Sequence, residues 1–99
     1  MGWATNHVQK LLNGETVQFR PHGNSMAGKI DSGQLVTVVP VTDVQSLEVG
    51  QIVLCKVRGE HYLHLIDAKR DGQFLIANNH GRQNGWTKTI FGRVTAVSE

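Results

Sequence analysis

The first part of the chain has the residue spacing of a short amphipathic helix. Apolar side chains recur at intervals that line one helical face, namely Trp3, Val8, Leu11 and Leu12. A Thr-Asn pair near the start of this run can cap a helix, and the Asn-Gly pair that follows it supplies a stop. The pattern predicts a helix over residues 4–13.

From Thr16 onward the apolar positions repeat every second residue, which is the period of a half-buried strand. β-branched and aromatic residues are concentrated in short runs, and Gly, Pro and Asp positions separate these runs. The predicted strands are residues 16–20, 35–39, 52–57, 61–66, 73–77 and 90–97. The polar stretch 78–86, which is rich in Asn and Gly, is predicted to be a loop.

Two tight turns indicate how neighbouring strands are joined. Residues 58–60 read Arg-Gly-Glu and residues 71–72 read Asp-Gly, and both are typical of hairpin connections. The expected fold is therefore an all-β, mainly antiparallel barrel or sandwich of short strands with one N-terminal helix. Because the chain has no linker-like stretch, we predict one domain over residues 1–99, with the helix in 1–14 and the β part in 15–99.

Composition and charge make several functional classes less favourable. The chain of 99 residues is 39% hydrophobic and 18% charged, as in ordinary globular proteins. Its net charge of +2 and aromatic content of 6% argue against a nucleic-acid partner, including a β-barrel that binds single strands. No apolar run approaches the ~20 residues of a membrane span. The lone Cys55 lies in an apolar run, which predicts a buried structural thiol and a soluble, cytoplasmic protein.

The candidate chemistry comes from a loop serine and a strand histidine. Ser25 lies in the tight Gly23-Asn24-Ser25-Met26 stretch between two predicted strands, and His64 lies on a later strand. A serine hydroxyl needs an adjacent base near pH 7, and an imidazole titrates in the required range. The plainer alternatives are a turn serine and a half-buried strand histidine.

Five motifs in order carry a resemblance to one superfamily. They are Gly23-Asn24-Ser25-Met26, Ile30-Asp31-Ser32-Gly33-Gln34-Leu35-Val36, Gly50-Gln51-Ile52-Val53, Leu63-His64-Leu65-Ile66 and Gly92-Arg93-Val94. Over residues 17–97 the chain thereby resembles the superfamily of signal peptidases and self-cleaving LexA-type repressor domains. The resemblance implies a serine endopeptidase fold of the LexA C-terminal type, with Ser25 as nucleophile and His64 as general base. It also implies that Gly23, Asn24 and Met26 form the substrate and oxyanion loop.

The departures from the family pattern place this chain within the superfamily. Most bacterial members have a lysine where this chain has His64, whereas the endoplasmic-reticulum and archaeal signal peptidases have a histidine, so the chain resembles that Ser–His branch. Those relatives also have an acidic residue after the base strand, but the stretch 78–86 contains no carboxylate. An Asn amide oxygen can orient a histidine instead, which makes Asn78 and Asn79 the candidates for that role.

The remaining histidines have weaker claims to a function. His61 and His80 are alternative bases, and His22 is a loop histidine that could touch substrate. Because His61 and His64 are three apart on a strand, they face opposite sides, and we expect neither a metal site nor a cofactor.

Two functions from different classes remain open. The first is a small serine endopeptidase that acts on a peptide or protein by a Ser25–His64 dyad. The second is a catalytically silent peptidase-fold module, which serves as a homodimerisation or peptide-binding unit. The distance between the two side chains discriminates between these alternatives better than any further feature of the sequence.

Overall fold

The structure is a computed structural model that describes residues 2–99, and its secondary structure is almost entirely β. One helix, α1, spans Thr5–Leu12, and a short 3-10 turn spans Val44–Ser46. The strands are β1 Val17–Phe19, β2 Leu35–Pro40, β3 Ile52–Val57, β4 Glu60–Arg70, β5 Gln73–Ala77, β6 Gln83–Thr87 and β7 Ile90–Ser98. The prediction of an all-β fold with one short N-terminal helix is confirmed.

All strands belong to one 7-stranded sheet with the order β1-β2-β7-β3-β4-β5-β6. Every neighbouring pair is antiparallel. The edge strand β6 curls back toward β3 in the middle of the sheet, where the Thr87 hydroxyl donates to the Lys56 carbonyl over 2.6 Å. The β3–β6 hairpins thus roll into a partly closed barrel.

The two hairpin turns adopt the conformation that their sequences demand. Arg58 and Gly59 have φ of 51° and 84°, and Asp71 and Gly72 have φ of 51° and 77°. Positive φ at both central residues matches the right-handed twist of the flanking strands and favours Gly at the second position. These turns fix the β3–β4 and β4–β5 pairings.

The stretch 78–86, predicted to be a loop, contains strand β6 in its second half. Its sequence Gln-Asn-Gly-Trp-Thr lacks the apolar alternation of a strand. The pairing comes from β5 instead, with Phe74 opposite Thr87 and Leu75 opposite Trp86. The loop prediction was wrong for residues 83–86 because an existing sheet edge supplies hydrogen bonds that local propensity does not reveal.

Buried side chains form two clusters, one on each face of the central strands. The helix-side cluster contains Ala4, Val8, Leu11, Val17, Met26, Ile30, Val36, Val38, Leu54 and Leu63. The hairpin cluster contains Leu47, Val53, Cys55, Val57, Ile66, Phe74, Ile76 and Ile90. On β3, Val53, Leu54 and Cys55 are all fully buried because successive side chains point into alternate clusters.

No helix within residues 2–99 has the length and hydropathy needed to cross a membrane.

Candidate active site

Ser25 lies in the loop between β1 and β2, and buried neighbours anchor that loop. Met26 and Ile30 are 5% and 3% exposed and pack into the helix-side cluster. The Ile30 N–H donates to the Met26 carbonyl over 2.7 Å, and the Ala27 N–H donates to the Asn24 carbonyl over 3.1 Å. The loop therefore has a defined turn conformation, and the Ser25 side chain remains exposed.

His64 on β4 lies within hydrogen-bond distance of both Ser25 and Asn84. Its Nε2 is 3.1 Å from Ser25 Oγ, and its Nδ1 is 2.7 Å from Asn84 Oδ1. An amide oxygen can only accept, so Nδ1 must carry the ring proton and Nε2 has a free lone pair. The neutral imidazole is thereby oriented to accept the proton of the Ser25 hydroxyl.

The residue in contact with Nδ1 of His64 is Asn84, not Asn78 or Asn79. Asn78 uses its side-chain oxygen to accept from the backbone N–H groups of His80 and Arg82, each over 2.9 Å. Asn84 reaches His64 from β6, the strand that sequence reasoning missed. Recognition of residues 83–87 as a strand paired with β5 is the signal that would have pointed to Asn84.

Asn79 and His80 contact the loop that carries Ser25 instead. The Asn79 backbone N–H donates to the Ser25 carbonyl over 2.8 Å, and its side-chain amide donates to the Ala27 carbonyl over 2.7 Å. His80 Nε2 lies 2.7 Å from the Asn24 carbonyl, a distance at which the ring N–H donates. We call these contacts the loop clamp, since they join the β5–β6 connection to the backbone on both sides of Ser25.

Burial affects the charge state of His64 in the site and of Cys55 in the hairpin cluster. His64 is 8% exposed, and desolvation lowers its pKa below the ordinary value of 6.5, although the Asn84 hydrogen bond opposes this effect. His64 is therefore neutral at pH 7. Burial raises the pKa of the Cys55 thiol to about 12, so this thiol is protonated and poorly nucleophilic.

A cavity of about 690 Å³ opens beside Ser25 and His64. The loop residues Gly23 and Met26 line it together with both candidate catalytic side chains, whereas Asn24 borders the site through its carbonyl contact with His80. This is the position and size at which a peptide side chain can be held beside a nucleophile.

No other histidine within residues 2–99 forms a hydrogen bond with the Ser25 hydroxyl. His61 lies against Phe91 with a centroid separation of 5.9 Å, and His22 lines the cavity. Within residues 2–99 no group of three or more His, Cys, Asp or Glu side chains is arranged to hold a metal ion.

Comparison with known proteins agrees with this geometry at the level of the family. The family model described as Peptidase S24-like matches residues 7–95, which include the Ser25 loop, β4 and β6. Neither a curated protein nor a solved structure matches the chain. Since the match covers nearly the whole sequence, the chain belongs to the Peptidase S24-like family.

Proposed function

We propose that this protein is a serine endopeptidase in which Ser25 is the nucleophile, His64 the general base and Asn84 the residue that orients the base. One observation carries the proposal: the hydroxyl, imidazole and amide form a continuous hydrogen-bonded chain with separations of 3.1 and 2.7 Å. Turn chemistry explains a serine at this loop, but it gives no reason for a buried histidine that accepts from it. Membership in a peptidase family supports the same reading.

The expected mechanism is acyl transfer. His64 Nε2 takes the Ser25 proton as Oγ attacks the scissile carbonyl, and a C–O bond forms while the carbonyl oxygen becomes an oxyanion. Collapse of this intermediate breaks the C–N bond, and His64 returns the proton to the leaving amine. Water then hydrolyses the acyl-serine ester by the same base. The Ser25 N–H, which donates to no backbone carbonyl within residues 2–99, can stabilise the oxyanion, and one such donor is worth ~3 kcal/mol.

Asn84 makes the expected reaction slower than that of a carboxylate-assisted enzyme. It holds the correct tautomer of His64 but supplies no negative charge to stabilise the imidazolium that forms during attack. A slow enzyme of this kind suits a substrate segment that is tethered or presented by a partner, since a high effective concentration offsets weak chemistry.

The base at position 64 supports placement of the chain near the Ser–His branch of signal peptidases, with small residues expected at the scissile bond. The expected partner is a peptide or protein in the cytoplasm rather than a nucleic acid. A silent module for homodimerisation or peptide binding is the competing function.

A serine-directed fluorophosphonate probe tests the proposal directly. Intact-mass spectrometry should find one adduct on the wild type, and peptide mapping should place it at Ser25. Ser25→Ala should abolish labelling, and His64→Ala should slow it at least about a hundredfold, because general-base assistance contributes typically 10²–10⁴-fold. Ser98→Ala, which removes an exposed serine at the end of β7, is the matched control and should label normally.

Cleavage of a proteome-derived peptide mixture should show the same dependence on Ser25 and His64. Circular dichroism must show that each variant is folded. A folded wild-type protein that neither labels nor cleaves, and that forms a stable dimer in solution, would establish the silent module instead.

A further inference from the structure

Residues at the start of the chain and on β1 form an aromatic wall of the cavity beside Ser25. Trp3, His7 and Phe19 all line that cavity. The His7 and Phe19 rings are stacked with centroids 4.2 Å apart, and Trp3 is tilted against Phe19 at 6.0 Å. Trp3 is nevertheless 52% exposed, so a large part of its indole surface remains open.

The helix is thus more than a packing element. Its Val8 and Leu11 side chains are buried in the helix-side cluster and fix its position on the sheet. His7 on the helix and Trp3 just before it instead line the cavity. Contiguous exposed aromatic surface beside a cleft is typical of a binding site.

The charged groups that line the cavity already have partners within the protein. Arg20 donates to the Gly33 and Glu99 carbonyls over 2.8 and 2.6 Å. The Asp31 carboxylate accepts from the Gly28 N–H over 3.0 Å. These contacts, made through Arg20 Nη1 and Asp31 Oδ1, orient both side chains toward the loop and the chain terminus.

The imidazoles that line the aromatic part of the cavity are neutral near pH 7. Burial lowers the pKa of His7, and the nearby positive charge of Lys10 lowers it further. Burial and the positive charge of Lys56 act in the same way on the pKa of His61. A neutral aromatic surface of this kind accepts an uncharged ring or aliphatic chain more readily than a carboxylate.

We propose that Trp3, His7 and Phe19 form a specificity subsite for a bulky apolar side chain, aromatic above all, in a position that flanks the scissile bond of an extended peptide. The inference rests on the proposed peptidase function for its biological role, but it concerns a binding surface that can be measured without catalysis. Met26 and Leu63, which are buried and line the same cavity, supply its aliphatic floor.

Two small probes test the subsite by NMR chemical-shift titration of the wild-type protein. N-acetyl-phenylalanine methylamide should bind about tenfold more tightly than N-acetyl-alanine methylamide, since apolar pockets distinguish side chains by roughly 10–200-fold. The shifted amide signals should include those of His7 and Phe19. Equal binding of the two probes, or shifts confined to another part of the sheet, would overturn the proposal.

Variants of the helix make the test specific. Trp3→Ala should reduce the affinity for the phenylalanine probe to about that for the alanine probe, and Trp3→Phe should retain most of it. Leu12→Ala is the matched control, because Leu12 lies on α1, is 65% exposed and does not line the cavity. An unchanged affinity in folded Trp3→Ala would remove Trp3 from the subsite and contradict the proposal.

Cleavage of the peptide mixture tests whether the subsite determines which peptides are cut. The wild type should enrich Phe, Trp, Leu or Met at one position near the cleaved bond, and Trp3→Ala should lose this enrichment whereas Leu12→Ala should keep it. A preference for charged side chains there would contradict the subsite. If the wild type cleaves nothing, the peptidase proposal fails, but the probe titration still decides whether the subsite exists.

Discussion

The helix-side cluster and the hairpin cluster differ in how far apart in the sequence their residues lie. The helix-side cluster joins α1, β1, the Ser25 loop and β2 to Leu54 and Leu63 in the middle of the chain. The hairpin cluster is built from residues 47–90, in which β3, β4, β5 and β6 follow one another as antiparallel neighbours. One cluster depends on long-range packing, and the other follows largely from successive hairpins.

The candidate site spans this division. His64 and Asn84 both lie on the successive strands β3–β6, which we call the hairpin unit, and are 20 residues apart. Ser25 lies on the loop anchored in the helix-side cluster, which forms the other unit, and is 39 residues from His64. His64 and Asn84 are therefore positioned by one unit, and Ser25 by the other. The Ser25–His64 distance therefore depends on packing between the helix-side cluster and the hairpin cluster.

The largest effect is expected from the contact inside the hairpin unit. Asn84→Ala should lower kcat by about a hundredfold, because His64 loses the acceptor that fixes its tautomer and orientation. Asn84→Asp should raise the pKa of His64 and move the acidic limb of the pH–rate profile to higher pH, since a carboxylate stabilises imidazolium. Steady-state kinetics between pH 4.5 and 8.5 measure both changes.

In the wild type that acidic limb should lie below pH 6.5, because burial lowers the pKa of His64. A profile that is identical in the wild type and Asn84→Asp would show that Asn84 does not act through His64.

A second, smaller effect concerns the packing that joins the two units. A Cβ at Gly92 on β7 would lie 2.6 Å from Val38 Cγ1 and 2.9 Å from the Val39 carbonyl oxygen, and the backbone oxygen cannot move freely. Gly92→Ala should therefore reduce the free energy of unfolding by about 1–3 kcal/mol. Urea denaturation measures this loss.

Gly2→Ala is the matched control for that experiment, since a Cβ there meets nothing within 4 Å. An equal stability of the two variants would mean that β7 and β2 are less tightly packed than the structure describes.

The loop clamp should have a smaller effect on catalysis than Asn84. Asn79→Ala removes the side-chain hydrogen bond to the Ala27 carbonyl but leaves the backbone bond to Ser25, so we expect kcat to fall about tenfold with little change in KM. Asn6→Ala on the exposed surface of α1 should have no effect. A loss of stability with unchanged kcat would assign Asn79 a purely structural role.

The smallest expected effect is the dependence of stability on pH. The folded-state pKa of His64 is lowered, so the unfolded chain binds more protons below pH 6.5. The contribution of neutral His64 to the free energy of unfolding is present above the unfolded-state pKa and is lost as the pH falls toward the folded-state pKa. The Tm should therefore fall between pH 7.5 and 5, and His64→Gln should reduce that slope. An unchanged slope in the variant would contradict the buried neutral imidazole.

Several features of this protein follow from the sequence alone because they depend on local chemistry. Residue spacing predicts α1, and the Asp71-Gly72 pair predicts a hairpin because its backbone needs positive φ at both positions. The Gly-Asn-Ser-Met loop and the strand histidine also identify Ser25 and His64 as a candidate pair, and the structure places the pair 3.1 Å apart.

Only the tertiary structure decides the third member of the hydrogen-bonded chain. Asn78, Asn79 and Asn84 are chemically alike, and all follow β4, the strand that carries His64. Asn84 contacts His64 because β6 pairs with the edge of β5, whereas the Asn79 side chain donates to the Ala27 carbonyl in the Ser25 loop. Local propensity does not encode such pairing, since the free energy that forms β6 comes from hydrogen bonds and packing offered by strands distant in sequence.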